Sequence, residues 1–246
     1  MELAYYGVLE MGKLKHILQN EVSGWKKWEL CWLVFSCFVI IIMSIYCQET
    51  VMGIVSATTG VVYVVLMGKG KLSAYLFGLV NCVLYAIISY KATFYGETML
   101  NVIYYIPMQF VGFYMWSKNM NSETKEVRKR HMTNSKRVIM VLTIASLVAA
   151  YSFLLRYMGD MLPFMDSFTT VSSIVAMIIS IGMYAEQWWI WIAVDVMSVI
   201  MWGIAYSNGN DSIATLLMWI IYLATGIIMC IKWEREIRKN GRQIKE

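Results

Sequence analysis

Eight long apolar segments, separated by short polar stretches, dominate the hydrophobic pattern of this 246-residue chain. A helix needs about 20 residues, and at least about 17, to cross the ~30 Å hydrocarbon core of a bilayer. Runs such as 34–43 and 138–150 lack the period-two alternation of membrane β-strands. Because backbone groups in lipid must be hydrogen-bonded within the chain, we expect helices. The segments lie at approximately 28–46, 51–67, 72–90, 97–116, 137–155, 163–183, 188–206 and 212–232.

The composition supports an all-α integral membrane protein. Hydrophobic residues make up 59% of the chain and charged residues 15%, against roughly 45–50% and about 25% in soluble domains. These values exclude an ordinary soluble enzyme and a disordered chain. The five cysteines form no C-x-x-C pair, and the two histidines lie in charged segments. We therefore expect no disulfide framework and no metal site.

The distribution of positive charge predicts the orientation of the segments. If the N-terminus is cytoplasmic, Lys91 and Arg156 are the two exceptions among 21 Lys and Arg residues that otherwise lie on the cytoplasmic side. This positive-inside bias predicts that both termini are cytoplasmic. The basic run 128–130 is interpreted as a topology signal near anionic lipid, and a nucleic-acid partner is not expected. Residues 1–27 lack the apolar core of a signal peptide.

Two groups of three segments can be aligned at an offset of 114 residues. The alignment pairs Gly68 with Gly182, Asn81 with Asp195, Glu97 with Asp211, Gly112 with Gly226 and Lys118 with Lys232. Both groups would begin outside and end inside, and such parallel repeats hold substrate near the midplane in known transporters. We therefore expect a cytoplasmic segment (1–27), an extra N-terminal helix (28–46), a first repeat (51–116), a cytoplasmic basic loop (117–136), a linking helix (137–155), a second repeat (163–232) and a cytoplasmic tail (233–246).

Asp195 is the clearest polar residue within an apolar segment, since it lies near the middle of segment 7. A charged Asp there costs on the order of 2.5–3.5 kcal/mol on insertion scales, and such residues tend to be functional. Trp188, Trp191, Ser198 and Trp202 share its helical face, because their spacing is three or four residues. Packing or an interfacial belt would explain tryptophans alone, whereas this mixed stripe predicts a polar cavity.

Segment 4 carries a comparable stripe, formed by Asn101, Tyr105, Gln109, Gly112 and Trp116. The missing backbone N–H of Pro107 predicts a kink that is a candidate hinge, with a static bend as the alternative. Polar or aromatic residues at similar depth on two further segments are Asn81, Tyr85, Trp219 and Tyr222. Each could instead bond a neighbouring helix, for about 0.6 kcal/mol. Together they favour a wet, aromatic-walled cavity.

Such a cavity suits a ring-containing polar solute better than it suits catalysis. Aromatic faces stack on rings and attract cations, while amides and hydroxyls form directional hydrogen bonds. The sequence has no recognisable nucleophile–base set, metalloprotease motif or phosphate-binding glycine loop, so we expect neither an enzyme nor a cofactor. We also expect no second acid, Lys or Arg within the membrane. Ion coupling is then not required, although Asp195 alone could carry a proton.

Two stretches together form a family-like pattern. The first contains Tyr95-Gly96-Glu97, Leu100-Asn101, Tyr105, Gln109-Phe110-Val111-Gly112 and Trp116. The second contains Glu186-Gln187-Trp188-Trp189-Ile190-Trp191, Val194-Asp195-Val196 and Ser198, followed by Trp233-Glu234-Arg235. In these residues, and over about 51–235, the chain resembles the PnuC-type family of nicotinamide riboside transporters. Trp219 and Ala214–Thr215 stand where this family's last helix is expected to be rich in tyrosine.

The resemblance implies a SWEET-like fold of two three-helix bundles joined by a linking helix, in the inner (cytoplasmic) membrane. It implies uptake of nicotinamide riboside by facilitated diffusion and trapping through phosphorylation by a cytoplasmic kinase. Trp188 and Trp191 would contact the cationic ring, Asn101 and Gln109 the amide or ribose, and Asp195 would balance charge or bind a hydroxyl. The full set of candidate substrate-binding residues is Trp188, Trp191, Asp195, Ser198, Asn101, Tyr105, Gln109, Asn81, Trp219 and Tyr222.

Three questions stay open at this stage. Thiamine or riboflavin could replace nicotinamide riboside as the substrate, and thiamine is also cationic and aromatic. An integral-membrane enzyme or a structural subunit is the least favoured alternative. The sequence does not decide whether the protein, with membrane lipid around it, forms a homo-oligomer.

Overall fold

The computed structural model describes residues 21, 24–91, 95–121, 124–157, 163–207 and 213–243. Seven of its helical segments are α1 (Lys27–Tyr46), α2 (Val51–Lys69), α3 (Ala74–Lys91), α5 (Asn134–Tyr157), α6 (Pro163–Ile181), α7 (Gln187–Ser207) and α8 (Ile213–Gln243). The remaining segment, α4, consists of a helical turn (Tyr95–Met99), a π-helix (Leu100–Tyr105) and a regular helix (Ile106–Ser117). The described residues contain no β-strand, and their β-pairing is limited to isolated bridges.

These helices confirm the eight predicted apolar segments and the all-α class. Seven of them, in the described part of the chain, are long and apolar enough to cross a membrane, and α4 has its π-helix in the middle. The C-terminal end of α8 differs from the prediction, because this helix continues to Gln243 and includes most of the predicted tail. The predicted segment 1–27 lies mostly outside the described residues.

Local signals explain where α2 begins and ends. The hydroxyl oxygen of Thr50 accepts a hydrogen bond from the backbone N–H of Gly53 at 3.1 Å, which caps the N-terminus. Gly70 ends the helix in the left-handed conformation (φ 82°), and its N–H bonds back to the carbonyl of Leu66. A glycine adopts this conformation without strain, so the chain can reverse into α3 within a few residues.

Six helices form a closed ring around the centre of the protein. Neighbours around the ring follow the order α2, α3, α4, α6, α7, α8 and back to α2. Outside the ring, α1 packs against α2 and α8, while α5 packs against α6. This order is the one expected if α2–α4 and α6–α8 are two equivalent triplets linked by α5. The repeat relationship itself stays a prediction. Large apolar side chains face outward, as Phe35 (57% exposed) and Leu142 (61% exposed) do, which suits contact with lipid.

One end of the ring, which we call the basic face, includes the C-terminal ends of α2, α4 and α6, the start of α7 and the last turns of α8. Residues 124–133, here termed the strap, cross this face. The N–H of Val127 bonds to the carbonyl of Gly70 at 3.0 Å, and the N–H of Arg130 bonds to the carbonyl of Met183 at 3.1 Å. The strap therefore connects the ends of α2 and α6, the first helices of the two predicted repeats.

Charged side chains on the basic face form a closed ring of alternating sign, which we call the charge ring. Three acids and three lysines follow one another in the order Glu29, Lys69, Glu126, Lys129, Glu236 and Lys232, and back to Glu29. The two nitrogens nearest to Glu29 lie 2.7 Å (Lys69) and 2.9 Å (Lys232) from its carboxylate oxygens. Because these charges are matched, a buried network can be tolerated.

The basic run 128–130 does not face outward as a unit. Arg128 is exposed, but the side chain of Lys129 is 6% exposed and belongs to the charge ring. Arg130 lies over the ring of Tyr184 and donates a hydrogen bond to the carbonyl of Gly182. The interpretation as a simple topology signal is therefore incomplete, since two of the three residues bind other parts of the protein.

Candidate functional site

A cavity lies inside the six-helix ring, and every helix of the ring contributes to its wall. Its volume is about 90 Å³ for the centres of water-sized molecules, enough for several waters, since one water centre needs roughly 10–15 Å³. The cavity thus brings polar and aromatic side chains together in the part of the protein that its apolar exterior places within the membrane. Polar residues buried there can contact a solute rather than lipid.

All ten candidate substrate-binding residues line this one cavity. They are Asn81 on α3, Asn101, Tyr105 and Gln109 on α4, Trp188, Trp191, Asp195 and Ser198 on α7, and Trp219 and Tyr222 on α8. The helical spacing had predicted that each set shares a face, and the ring brings these faces together. Their role in binding a substrate remains a prediction.

Asp195 and the two tryptophans before it form the α7 wall. Asp195 is 3% exposed, and no described residue donates a hydrogen bond to its carboxylate. The indole N–H of Trp191 donates to the hydroxyl of Ser180 at 3.0 Å, which fixes the ring while leaving a face for contact. Trp188 is 1% exposed and packs edge-on against Trp233 at 5.8 Å between centroids, so it packs inside the protein rather than facing lipid.

Trp202 is the one residue of the predicted α7 stripe that lies outside the cavity wall. It does not line the cavity, and its indole N–H donates to the hydroxyl of Tyr85 at 3.2 Å. Trp202 lies 14 residues after Trp188, and fourteen residues come within about 40° of four full turns, so Trp202 stays on the predicted face; it contacts the wall residue Tyr85 without lining the cavity itself. Tyr85, which sequence reasoning placed at the same depth, does line the cavity.

The α4 wall coincides with the irregular part of that helix. The π-helix Leu100–Tyr105 ends just before Pro107, and the N–H of Ile106 bonds to the carbonyl of Asn101, five residues back. Pro107 cannot donate the hydrogen bond that a regular helix requires, and a π-turn is one way to absorb this loss. The predicted distortion is therefore present, while hinge motion stays a prediction. Gln109 and Asn101 are each 3% exposed.

Several polar atoms of the cavity wall have no hydrogen-bond partner among the described residues. They include the indole nitrogen of Trp188, the hydroxyl of Tyr222 and the side-chain oxygen of Gln109. A buried polar group without a partner costs about 1–3 kcal/mol, so native proteins rarely keep one without water or a ligand. These donors and acceptors are therefore unsatisfied within the wall, and a solute in the cavity is a candidate partner for them.

Two glycines allow the wall to close, and sequence reasoning missed both. A Cβ atom on Gly60 would lie 2.2 Å from the hydroxyl of Tyr222 and 2.8 Å from the amide nitrogen of Asn81. A Cβ atom on Gly78 would lie 2.6 Å from the side-chain oxygen of Gln109. Such distances are too short for real contacts, so larger residues would displace three of the candidate side chains.

Other wall residues were also not predicted as site residues, among them Tyr63, Cys82, Glu97, Thr169 and Ser173. Glu97 corrects the expectation that Asp195 is the single acid within the membrane. It lies in the first turn of α4, at the end of the ring away from the basic face, and it lines the cavity. Its position at the very start of an apolar segment made it look like a boundary residue. The described residues hold no group of metal ligands.

Comparison with known proteins identifies the family. The sequence profile described as "Nicotinamide mononucleotide transporter" matches residues 50–235. A nicotinamide riboside transporter PnuC from Neisseria mucosa is 36% identical over 226 residues, covering 90% of this chain and 86% of that protein. The PnuC of Haemophilus influenzae is 29% identical and covers 91% and 96%, respectively.

A solved structure agrees with the sequence relatives. The crystal structure of the vitamin B3 transporter PnuC shares 34% identity with this chain and has a TM-score of 0.82, covering 90% of this chain and 97% of that one. The solved structure agrees with this chain in fold, and the profile, the relatives and that structure are all named as transporters rather than enzymes. The chain belongs to the nicotinamide mononucleotide transporter family.

Proposed function

We propose that this protein carries nicotinamide riboside across the inner membrane by facilitated diffusion. The observation that carries the proposal is the enclosed cavity whose wall combines indoles with polar groups that lack partners. The named relatives are nicotinamide riboside transporters. The bias of positive charge supports an orientation in which the basic face and both termini lie in the cytoplasm.

The chemistry of nicotinamide riboside matches the wall of the cavity. A cationic pyridinium ring can lie on the faces of Trp188 and Trp191, because tryptophan has the strongest cation–π attraction. The carboxamide and the ribose hydroxyls need donors and acceptors, which Asn101 and Gln109 offer. Asp195 would face the positive charge or a hydroxyl. Each of these contacts would replace a water molecule or fill an unmade hydrogen bond.

Trapping supplies the direction of transport in this proposal. A passive carrier only brings the substrate to equal concentrations on the two sides of the membrane. Accumulation requires that a cytoplasmic kinase phosphorylate the transported molecule, so that it no longer fits the cavity and cannot leave the cell. The charge added by phosphorylation would oppose the acids of the cavity, Asp195 and Glu97. No gradient of ions is needed for this sequence of steps.

Reconstitution separates the passive mechanism from a coupled one. We expect liposomes with the purified protein to take up labelled nicotinamide riboside to equilibrium without any ion gradient, and to accumulate it when a nicotinamide riboside kinase and ATP are enclosed. An uncoupler should leave both rates unchanged. Uptake that needs a proton gradient while kinase and ATP are maintained would show the passive mechanism to be wrong.

Thiamine is the second candidate substrate, because it also pairs a cationic ring with hydrogen-bonding groups and the cavity wall carries two acids. Competition distinguishes the two vitamins. We expect unlabelled nicotinamide riboside to block uptake of its labelled form at concentrations where thiamine and riboflavin have little effect. Stronger competition by thiamine would reassign the substrate without changing the fold or the site.

A further inference from the structure

The charged groups of the cavity wall all have the same sign. Glu97 and Asp195 line it, and no Lys, Arg or His of the described residues does. Asp195 is nearly fully buried, and the described residues give neither carboxylate a hydrogen bond. Water is the available partner for both acids when the cavity holds no substrate.

The cations of the protein are held elsewhere. The buried lysines of the charge ring, Lys69, Lys129 and Lys232, are matched by the acids of the same ring. At the other end of the ring of helices, Lys91 and Arg156 are both exposed. Within the described residues the acids of the cavity therefore have no cation to neutralise them, so a bound proton or a positively charged solute must supply the charge.

Size and shape alone would not distinguish a cationic ring from an uncharged ring of the same outline. Stacking on indoles accepts either one, since both present an aromatic or planar face. Displacing water from two carboxylates is costly unless the arriving group replaces that solvation. A neutral solute supplies no counter-charge, so both acids would have to bind protons before it could displace their water, and such an added cost is how binding sites reject a competitor.

We propose that Glu97 is a specificity-determining residue that acts with Asp195 to restrict the cavity to cationic ring compounds. This inference rests on the proposed function and narrows it. Glu97 stands at the end of the cavity away from the basic face, where a solute from outside would arrive, and Asp195 stands deeper on α7. Nicotinamide riboside and thiamine meet the requirement, whereas riboflavin, which is uncharged, does not.

Charge can be tested separately from shape with the reduced form of the substrate. Dihydronicotinamide riboside has nearly the same outline but no positive charge. Calorimetry on the purified full-length protein should give a dissociation constant at least about tenfold lower for the cation than for the reduced form. Glu97→Gln should weaken binding of the cation about tenfold and change binding of the reduced form less than about twofold.

Two further variants control for folding and for net charge. Glu97→Asp keeps the carboxylate and should retain the preference for the cation. Glu49→Gln removes an acid on the same end of the molecule that lies outside the cavity wall and accepts a bond from the N–H of Ala214, so it should leave both affinities unchanged.

The outcomes separate this inference from the proposed function. Equal affinity of the unmodified protein for the two forms would overturn charge selection and leave nicotinamide riboside as the substrate. An unchanged preference in Glu97→Gln would remove Glu97 from the selection. Failure to bind either form would overturn the proposed function itself.

Discussion

Buried carboxylates occur in two regions of this protein, and their surroundings differ. In the charge ring, Glu29 is 1% exposed and has lysine nitrogens within 2.9 Å of both its oxygens. In the cavity, Asp195 is 3% exposed and has no donor among the described residues. The two acids are therefore similarly buried but differ in role. Glu29 binds lysines and so connects α1, α2 and α8, whereas Asp195 has no partner in the described part of the chain and can bind a solute.

Glu29→Gln should produce the largest effect on stability. It removes the charge between Lys69 and Lys232 and leaves both lysines buried with less compensation, at a cost of about 3 kcal/mol. We expect the apparent Tm of the purified protein to fall by roughly 10 °C in a thermal-unfolding assay. Asp195→Asn is the matched control and should leave Tm unchanged or raised. A similar loss of Tm in both variants would remove the distinction between the two regions.

Lys129→Gln should be the next largest change, since it opens the charge ring at the strap. With its partners Glu126 and Glu236 partly exposed, we expect a loss of about 2 kcal/mol. Arg128→Gln alters the adjacent, exposed position and should change the free energy of unfolding by less than about 0.5 kcal/mol. Chemical denaturation of both variants provides the measurement. Equal losses would mean that the strap contributes through net charge alone.

Trp191→Ala tests the cavity side of the comparison. Loss of the indole face should weaken binding of nicotinamide riboside about tenfold to thirtyfold, while membrane insertion remains normal. Trp189→Ala is the matched control, because Trp189 is 64% exposed and faces outward. Calorimetric titration compares the two. Normal affinity in Trp191→Ala would exclude its ring from the binding site.

Glu186 should produce the smallest effect, visible as a change with pH. Burial alone would raise its pKa, but hydrogen bonds from its own backbone N–H, from Arg137 and from the N–H of Met132 lower the pKa below its ordinary value of 4.5. A lowered pKa contributes stability that is complete above about pH 4.5 and is lost as the pH falls further.

The measurement for Glu186 is the loss of Tm between pH 5 and pH 3. Glu186→Gln should reduce this loss by an amount equivalent to about 1 kcal/mol. Glu234→Gln removes a nearby carboxylate with longer ion contacts, 3.5 Å to His131 and 4.0 Å to Arg238, and should reduce it less. The reverse order would assign the acid sensitivity to Glu234.

The sequence predicted the helices and most of the cavity wall for a common physical reason. Bilayer thickness sets the length of a span, and the 3.6-residue period decides which side chains share a face. Within the described residues, Asn101, Gln109 and Asp195 could therefore be assigned to one cavity before any coordinates were known. Trp202 shares the face of the stripe but does not line the cavity, because the helical period does not show how far along the helix the cavity extends.

The charge ring could not be predicted, because its partners are far apart in sequence. Glu29 and Lys232 carry no local signal of a contact, and each looks like an ordinary flanking charge. Glu97 was missed for a related reason, since a boundary residue of an apolar segment can face either the solvent or the interior. Gly60 and Gly78 gave no signal, because the need for close approach arises from the helix that packs against them.

A structure of the protein with nicotinamide riboside tests the central claim most directly, namely that the unmatched polar groups of the cavity bind the substrate. We expect the pyridinium ring against Trp188 or Trp191, the carboxamide or ribose within hydrogen-bond distance of Asn101 and Gln109, and the carboxylates of Asp195 and Glu97 on the side of the positive charge. Substrate density outside the six-helix ring, with the cavity filled by water alone, would contradict the account.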